Sequence, residues 1–116
     1  MHELSIAQAL IEQIEDIAGR EGAESVVSVT VQIGTLSGVE PDALEMAFPM
    51  ASEKTAVEGA TFHIEILQAE AVCRACGKAS DAAFPFPACS HCSSTDLDIS
   101  AGRELLLKSV ELSVPD

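Results

Sequence analysis

Residues 73–92, CRACGKASDAAFPFPACSHC, hold all four cysteines of the chain as two Cys-x2-Cys pairs separated by the twelve residues Gly77 to Ala88. In a reducing compartment that pattern reads as a metal site rather than a disulfide framework. Four thiolates from two such turns can close a tetrahedron around Zn²⁺ at Zn–S distances of about 2.3 Å, leaving no position for water. A closed site of this kind is structural, not catalytic. An iron–sulfur cluster also takes four cysteines, but the tighter ferredoxin spacings are missing, and a redox Cys-x-x-Cys would come singly near a βαβ pattern.

Outward from this stretch the chain turns periodic. Leu4, Ile6, Ala7, Leu10, Ile11, Ile14, Ile17 and Ala18 fall in one arc of about 160° at helical spacing, with Gly19 and Gly22 closing the helix. Val27, Val29, Val31 and Ile33 alternate with polar residues as a half-buried strand does, and Gly34 and Gly38 bracket a turn. Pro41 suits the first position of a second helix, and Pro49 predicts a kink or early stop at Phe48. After Gly59 a strand carries Phe62, Ile64 and Ile66 on one face and runs into Cys73, and a last strand spans about Glu104 to Leu112. The fold class predicted is α+β: a three-stranded sheet with two helices, and a zinc-ribbon or knuckle module inserted between strands 2 and 3. Residues 1–70 and 95–116 then form the α/β domain and residues 71–94 the metal module.

Aromatic residues make up 3% of the 116-residue chain against 47% hydrophobic, so the core must be aliphatic. A net charge of −13 repels phosphate backbones and anionic membranes while attracting cations, which argues against a nucleic-acid or membrane partner. No apolar run approaches the roughly 18 residues of a membrane span, and the first residues lack a signal-peptide pattern, so a cytoplasmic location is expected. No Ser/His/Asp order, P-loop or glycine-rich nucleotide fingerprint points to an enzyme.

The start Met1-His2-Glu3 gathers a terminal amine, the His2 amide and imidazole, and the Glu3 amide or carboxylate, a nitrogen-rich set that suits Ni²⁺ or Cu²⁺. MHELSIAQALIEQI (1–14), IGTLSGVEPDALEMAF (33–48), EGATFHIE (58–65), the two cysteine pairs and ISAGRELLLKSVEL (99–112) together resemble the HypA/HybF family of hydrogenase nickel-incorporation proteins. The resemblance implies a nickel metallochaperone that delivers Ni(II) to [NiFe] hydrogenase during maturation, with a HypB-type GTPase and the hydrogenase large subunit as partners. It implies a transferable nickel ion at His2 and Glu3 with the backbone and amine of Met1 and His2, Glu40 near the nickel or the partner, and structural Zn(II) at Cys73, Cys76, Cys89 and Cys92. Homodimerisation stays open, as does supply of urease. Pro49 and His91 depart from the family pattern, the latter raising ligand exchange at zinc.

The competing readings are blander. His63 reads as an exposed strand residue, and Glu12, Glu15 and Asp16 as the solvated face of the first helix. Arg74, Lys78 and Arg103 read as partial compensation for a dianionic zinc–thiolate centre. The alternative function is a zinc-ribbon protein–protein interaction module in which Met1 to Glu3 are incidental.

Overall fold

The computed structural model describes residues 2–81 and 88–115, so the expectation placed on the amine and backbone of Met1 lies outside the described residues. In chain order the elements are α1 (Glu3–Arg20), β1 (Ser25–Gly34), α2 (Pro41–Ser52), β2 (Thr61–Leu67), β3 (Glu70–Cys73), β4 (Ala79–Asp81), β5 (Leu97–Ala101) and β6 (Leu105–Ser113). Two compact units result, one of Met1–Val31, Val39–Glu65 and Leu106–Asp116, the other of Gln32–Gly38 and Ile66–Leu105. The class is α+β, with the strand order β2-β1-β6 in one sheet and β4-β3-β5 in a second.

In α1 the periodic stripe is buried at Ala7, Leu10, Ile11, Ile14 and Ala18, and α2 packs against it with Leu44, Ala47 and Phe48. The helix outlasts Gly19 and ends at Arg20, where the Gly22 N–H bonds the Gly19 carbonyl and the Ala23 N–H bonds the Ala18 carbonyl. Those two bonds make a Schellman closure, which needs the left-handed φ of +67° found at Gly22.

Three expectations are corrected. The second helix does not stop at Phe48 but continues through Pro49 to Ser52. Proline costs a helix interior roughly 3 kcal/mol. Phe48, 2% exposed and stacked on Phe62 with ring centroids 4.0 Å apart, offsets that cost together with the buried Leu44, each such side chain contributing roughly 1.5–3 kcal/mol. Val27 is 44% exposed whereas Val26 is buried, because the Val26 N–H is held by the Ala56 carbonyl at the strand's entry and regular alternation begins only at Val29. Finally, the strand carrying Phe62 does not run into Cys73. It ends at Leu67, where the Thr35 N–H bonds the Leu67 carbonyl and the Thr35 hydroxyl accepts the Ala69 N–H, leaving Ile66 46% exposed.

The second sheet was not foreseen, since β3, β4 and β5 have four, three and five residues and are too short to carry a period. Its strands are antiparallel, with Val72 opposite Ala79 on one side and Asp98 on the other, and Cys73 opposite Leu97. Ala69 and Ala71 are buried beneath Leu36, Leu97 and Ile99. Gly34 and Gly102 touch backbone to backbone, and a Cβ on Gly102 would lie 2.5 Å from the Ala69 Cα. Gly34, read from sequence as a turn residue, is thus required by close approach.

Urea unfolding of two glycine variants checks this packing. Gly34→Ala must displace backbone and is expected to lose about 3 kcal/mol or more. Gly19→Ala, inside α1 with nothing within 4 Å of the added carbon, should gain about 0.5–1 kcal/mol.

Candidate metal centre

Cys73 is the last residue of β3, so the sheet register fixes where the first sulfur stands. The chain then folds back at once: the Gly77 N–H bonds the Cys73 carbonyl at 2.8 Å and the Cys73 N–H bonds the Lys78 carbonyl at 3.0 Å. Sixteen residues on the same pattern recurs, with the Ser93 N–H on the Cys89 carbonyl at 2.9 Å and the Cys89 N–H on the Ser94 carbonyl at 2.8 Å. Each turn also aims an amide at its leading sulfur, Cys76 N–H at Cys73 Sγ and His91 N–H at Cys89 Sγ, both at 3.4 Å. Gly77 and Ser93 occupy the equivalent left-handed position, at φ of 78° and 65°.

The two turns face each other through their sulfurs. Cys73 Sγ lies 3.6 Å from Cys92 Sγ, Cys76 Sγ lies 3.6 Å from Cys89 Sγ, and all four are within 4.8 Å of one another. A tetrahedron with metal–sulfur bonds of about 2.3 Å has edges of about 3.8 Å, so the spacing fits Zn²⁺. Cys73 and Cys89 are buried and Cys76 and Cys92 exposed, all as free thiols. The backbone amides act on the leading sulfurs: the His91 N–H helps push the Cys89 thiol down to about 6, and the Cys76 N–H lowers Cys73. Cys92 gains a lowering amide from Ser94, yet the neighbouring Cys73, burial and the other sulfurs outweigh it and push the thiol up to about 12. Without a cation the cluster cannot hold four negative charges; with one it can.

His91 is turned away from the sulfurs, its Nε2 lying 3.3 Å from the Ala79 carbonyl on β4. Arg74 is held by Asp96 at 3.2 Å and Asp98 at 3.8 Å, so its charge is met by carboxylates rather than by the thiolates. Spacing revealed the four sulfurs but not Ser93 or the Ala79 carbonyl, which support them. The position one residue past each second cysteine was the available signal for Ser93.

At the other candidate site, His2 is the exposed N-cap residue of α1, and its carbonyl accepts the Ile6 N–H at 3.1 Å while its imidazole takes no part in capping. Glu3 opens the helix, and its carboxylate accepts the Glu40 backbone N–H at 3.2 Å. That bond holds the Glu3 carboxyl below its ordinary range. Glu40 is itself the N-cap of α2, so one ionic hydrogen bond ties the two helix starts together. Among the described residues the four cysteines are the group of three or more potential ligands that the fold brings together; His2, Glu3 and Glu40 do not join their ligand atoms in such a cluster. His63 is exposed, as are Glu12, Glu15 and Asp16, of which Glu15 accepts the Ala56 N–H at 3.4 Å. No described helix is long and apolar enough to cross a membrane.

Two knuckles that close a tetrathiolate on a small sheet, carried with a two-helix α/β unit, define a small metal-binding protein with a closed cysteine centre. Residues 1–112 match the family described as hydrogenase/urease nickel incorporation, metallochaperone, hypA. The hydrogenase maturation factor HypA of Nitrosospira multiformis is 48% identical over 112 residues, 97% of each chain. That of Aquifex aeolicus is 45% identical over 114 residues, covering 98% of this chain and 99% of the relative. The solution structure of the nickel metallochaperone HypA from Helicobacter pylori superposes with a TM-score of 0.70 at 28% identity, over 99% of this chain and 100% of that one. The chain belongs to the HypA family of nickel-incorporation metallochaperones, and the curated relatives it matches are hydrogenase maturation factors.

The knuckle pairing yields a test. A non-glycine residue in the left-handed region costs about 1 kcal/mol, so Ser93→Gly should stabilise the metal-loaded protein by up to about that amount and Gly77→Val should destabilise it. Thermal unfolding in excess zinc reads both, and a destabilised Ser93→Gly would contradict the assigned equivalence.

Proposed function

We propose that this chain carries one exchangeable Ni²⁺ at its amino terminus and one structural Zn²⁺ at Cys73, Cys76, Cys89 and Cys92, and passes the nickel on during [NiFe] hydrogenase maturation. The nickel is cargo, and the zinc is resident. In this reading the α/β unit bears the nickel site and the cysteine-bearing unit the zinc, with a HypB-type GTPase and the hydrogenase large subunit as partners. The observation that carries it is His2: an exposed imidazole at the start of an amphipathic helix, unused by capping, beside an acid already engaged elsewhere.

The two donor sets suit opposite tasks. A tetrathiolate cage that shares its sulfurs with backbone amides holds its ion in a fixed shell, and such sites contribute folding energy. Imidazole and amide or amine nitrogens on an exposed helix start can be approached by a second protein's ligands, so transfer can proceed by stepwise exchange. Glu3 acts in this scheme through its backbone amide, while its carboxylate, held by the Glu40 N–H, fixes the angle at which His2 leaves the helix. Because that bond lowers the Glu3 carboxyl, the anchor persists across the neutral range. Glu40 stands next to the anchor, at the edge of the nickel site or its partner.

Competitive nickel titration of zinc-loaded protein tests the assignment. His2→Ala should lose Ni²⁺ binding with zinc retained, and an amino-terminal extension should weaken it; a variant that still takes one equivalent at unchanged affinity would leave a zinc-ribbon interaction module as the better reading. The nitrogen donors must be unprotonated to bind, so nickel affinity should fall as pH drops from 8 to 6. A carboxylate site on α1 would instead give a flat profile, since model carboxyls titrate near 4. Cys73→Ala should lose zinc and amide protection in β3–β5 while α1 keeps its protection, which hydrogen exchange by residue would show.

A further inference from the structure

The outward side of α2 is built unlike that of α1. Where α1 turns mostly polar residues to solvent, α2 presents Met46 and Met50, one turn apart and 75% and 63% exposed, the two most exposed large apolar side chains among the described residues. Pro49 is exposed between them, and Asp42, Glu45 and Glu53 lie along the same stripe, with no base in the helix's last turn. Beside this stripe runs a cleft of about 470 Å³ whose apolar side is Phe48 and Phe62 and whose rim is Glu45, Glu53 and Glu58.

Proline adds a further element. Lacking an N–H, Pro49 cannot form the helix bond to the carbonyl four residues back, so the Glu45 carbonyl loses its usual intrahelical donor at the mouth of the cleft. The helix continues past Pro49 to Ser52 with Phe48 buried, so the proline is compatible with the fold and changes the outer surface. Paired methionines adapt to varied apolar shapes, and carboxylates with a spare carbonyl acceptor favour a charged N–H donor over them.

We propose that the outer face of α2, from Glu45 to Glu53 with the Phe48–Phe62 cleft, is a docking surface for a partner protein segment that presents a lysine or arginine among apolar side chains. The cation enters the cleft between Glu45 and Glu53 above the aromatic pair, with Glu58, whose carboxylate already accepts the Lys54 backbone N–H, at the far rim, and the flanking apolar side chains cover Met46 and Met50. Charge complementarity selects this occupant: an uncharged or acidic segment would leave the carboxylate rim desolvated without a counter-charge. The surface shares no residue with the cysteine centre or with His2, so it stands or falls independently of the proposed nickel carriage.

The probe is an 18-residue amphipathic peptide of leucine and lysine, titrated into ¹⁵N-labelled zinc-loaded protein, with a leucine–glutamate peptide of equal length as its counterpart. Expected are shift changes concentrated in 45–53 and 58–62 with the lysine peptide and none with the glutamate peptide. Met46→Ser/Met50→Ser should weaken binding by about tenfold or more with unchanged thermal stability, since both side chains are exposed. Glu12→Lys/Asp16→Lys, a charge reversal on the exposed face of α1, should change affinity less than twofold at 0.15 M salt. Shift changes scattered over all acidic surfaces, or a methionine double variant that binds as well as the parent, would overturn the proposal. So would sedimentation showing that the face is covered by a second copy of the chain in a dimer abolished by the same double variant.

Discussion

Four thiol sulfurs within 4.8 Å of one another cannot all ionise unless a cation sits among them, and this charge constraint organises the cysteine-bearing unit. Its strands are short, and its described core is built around Ala69 and Ala71, too little apolar surface to hold three strands in place alone. What the core lacks, the four sulfurs would supply by holding a metal that joins β3 to the chain leading into β5. The repeated backbone pattern at Cys73 and Cys89 shows how: each turn directs an amide at a sulfur, so the thiolate is stabilised before and after an ion arrives.

The other unit is held by a different force. Its buried residues are aliphatic, with one aromatic pair, and they come from α1, β1 and α2 in patterns of period 3.6 and 2. The proposed function places the exchangeable ion at this unit's exposed helix start, His2. In that proposed function, closed sulfur donors and open nitrogen donors on separate units would let one chain keep one metal and part with another. The Glu3–Glu40 bond connects that helix start to α2, so the terminus is anchored although it is exposed.

How much of this was legible in the sequence depends on the range over which each feature is encoded. The cysteine pairs and the α1 stripe are local, and both were read correctly. The early stop expected at Pro49 does not occur, because the proline's penalty is local while the burial of Phe48 and its stack on Phe62 is tertiary. The second sheet escaped notice because three-to-five-residue strands carry no period, and Gly34 was read as a turn residue because its contact with Gly102 joins positions far apart in the chain. The Glu3–Glu40 hydrogen bond spans 37 positions and joins a side chain to a backbone amide, which no residue pattern encodes. His2 stood out through the nitrogen donors gathered around it, and the chain-long resemblance gave that weak local signal its weight.

The central claim is that one chain holds two metals in two unlike shells. X-ray absorption at both the zinc and nickel edges of doubly loaded protein tests it most directly. The account predicts zinc with four sulfurs at about 2.3 Å and nickel with nitrogen and oxygen neighbours alone. Sulfur in the nickel shell, or nitrogen replacing sulfur around zinc, would contradict it.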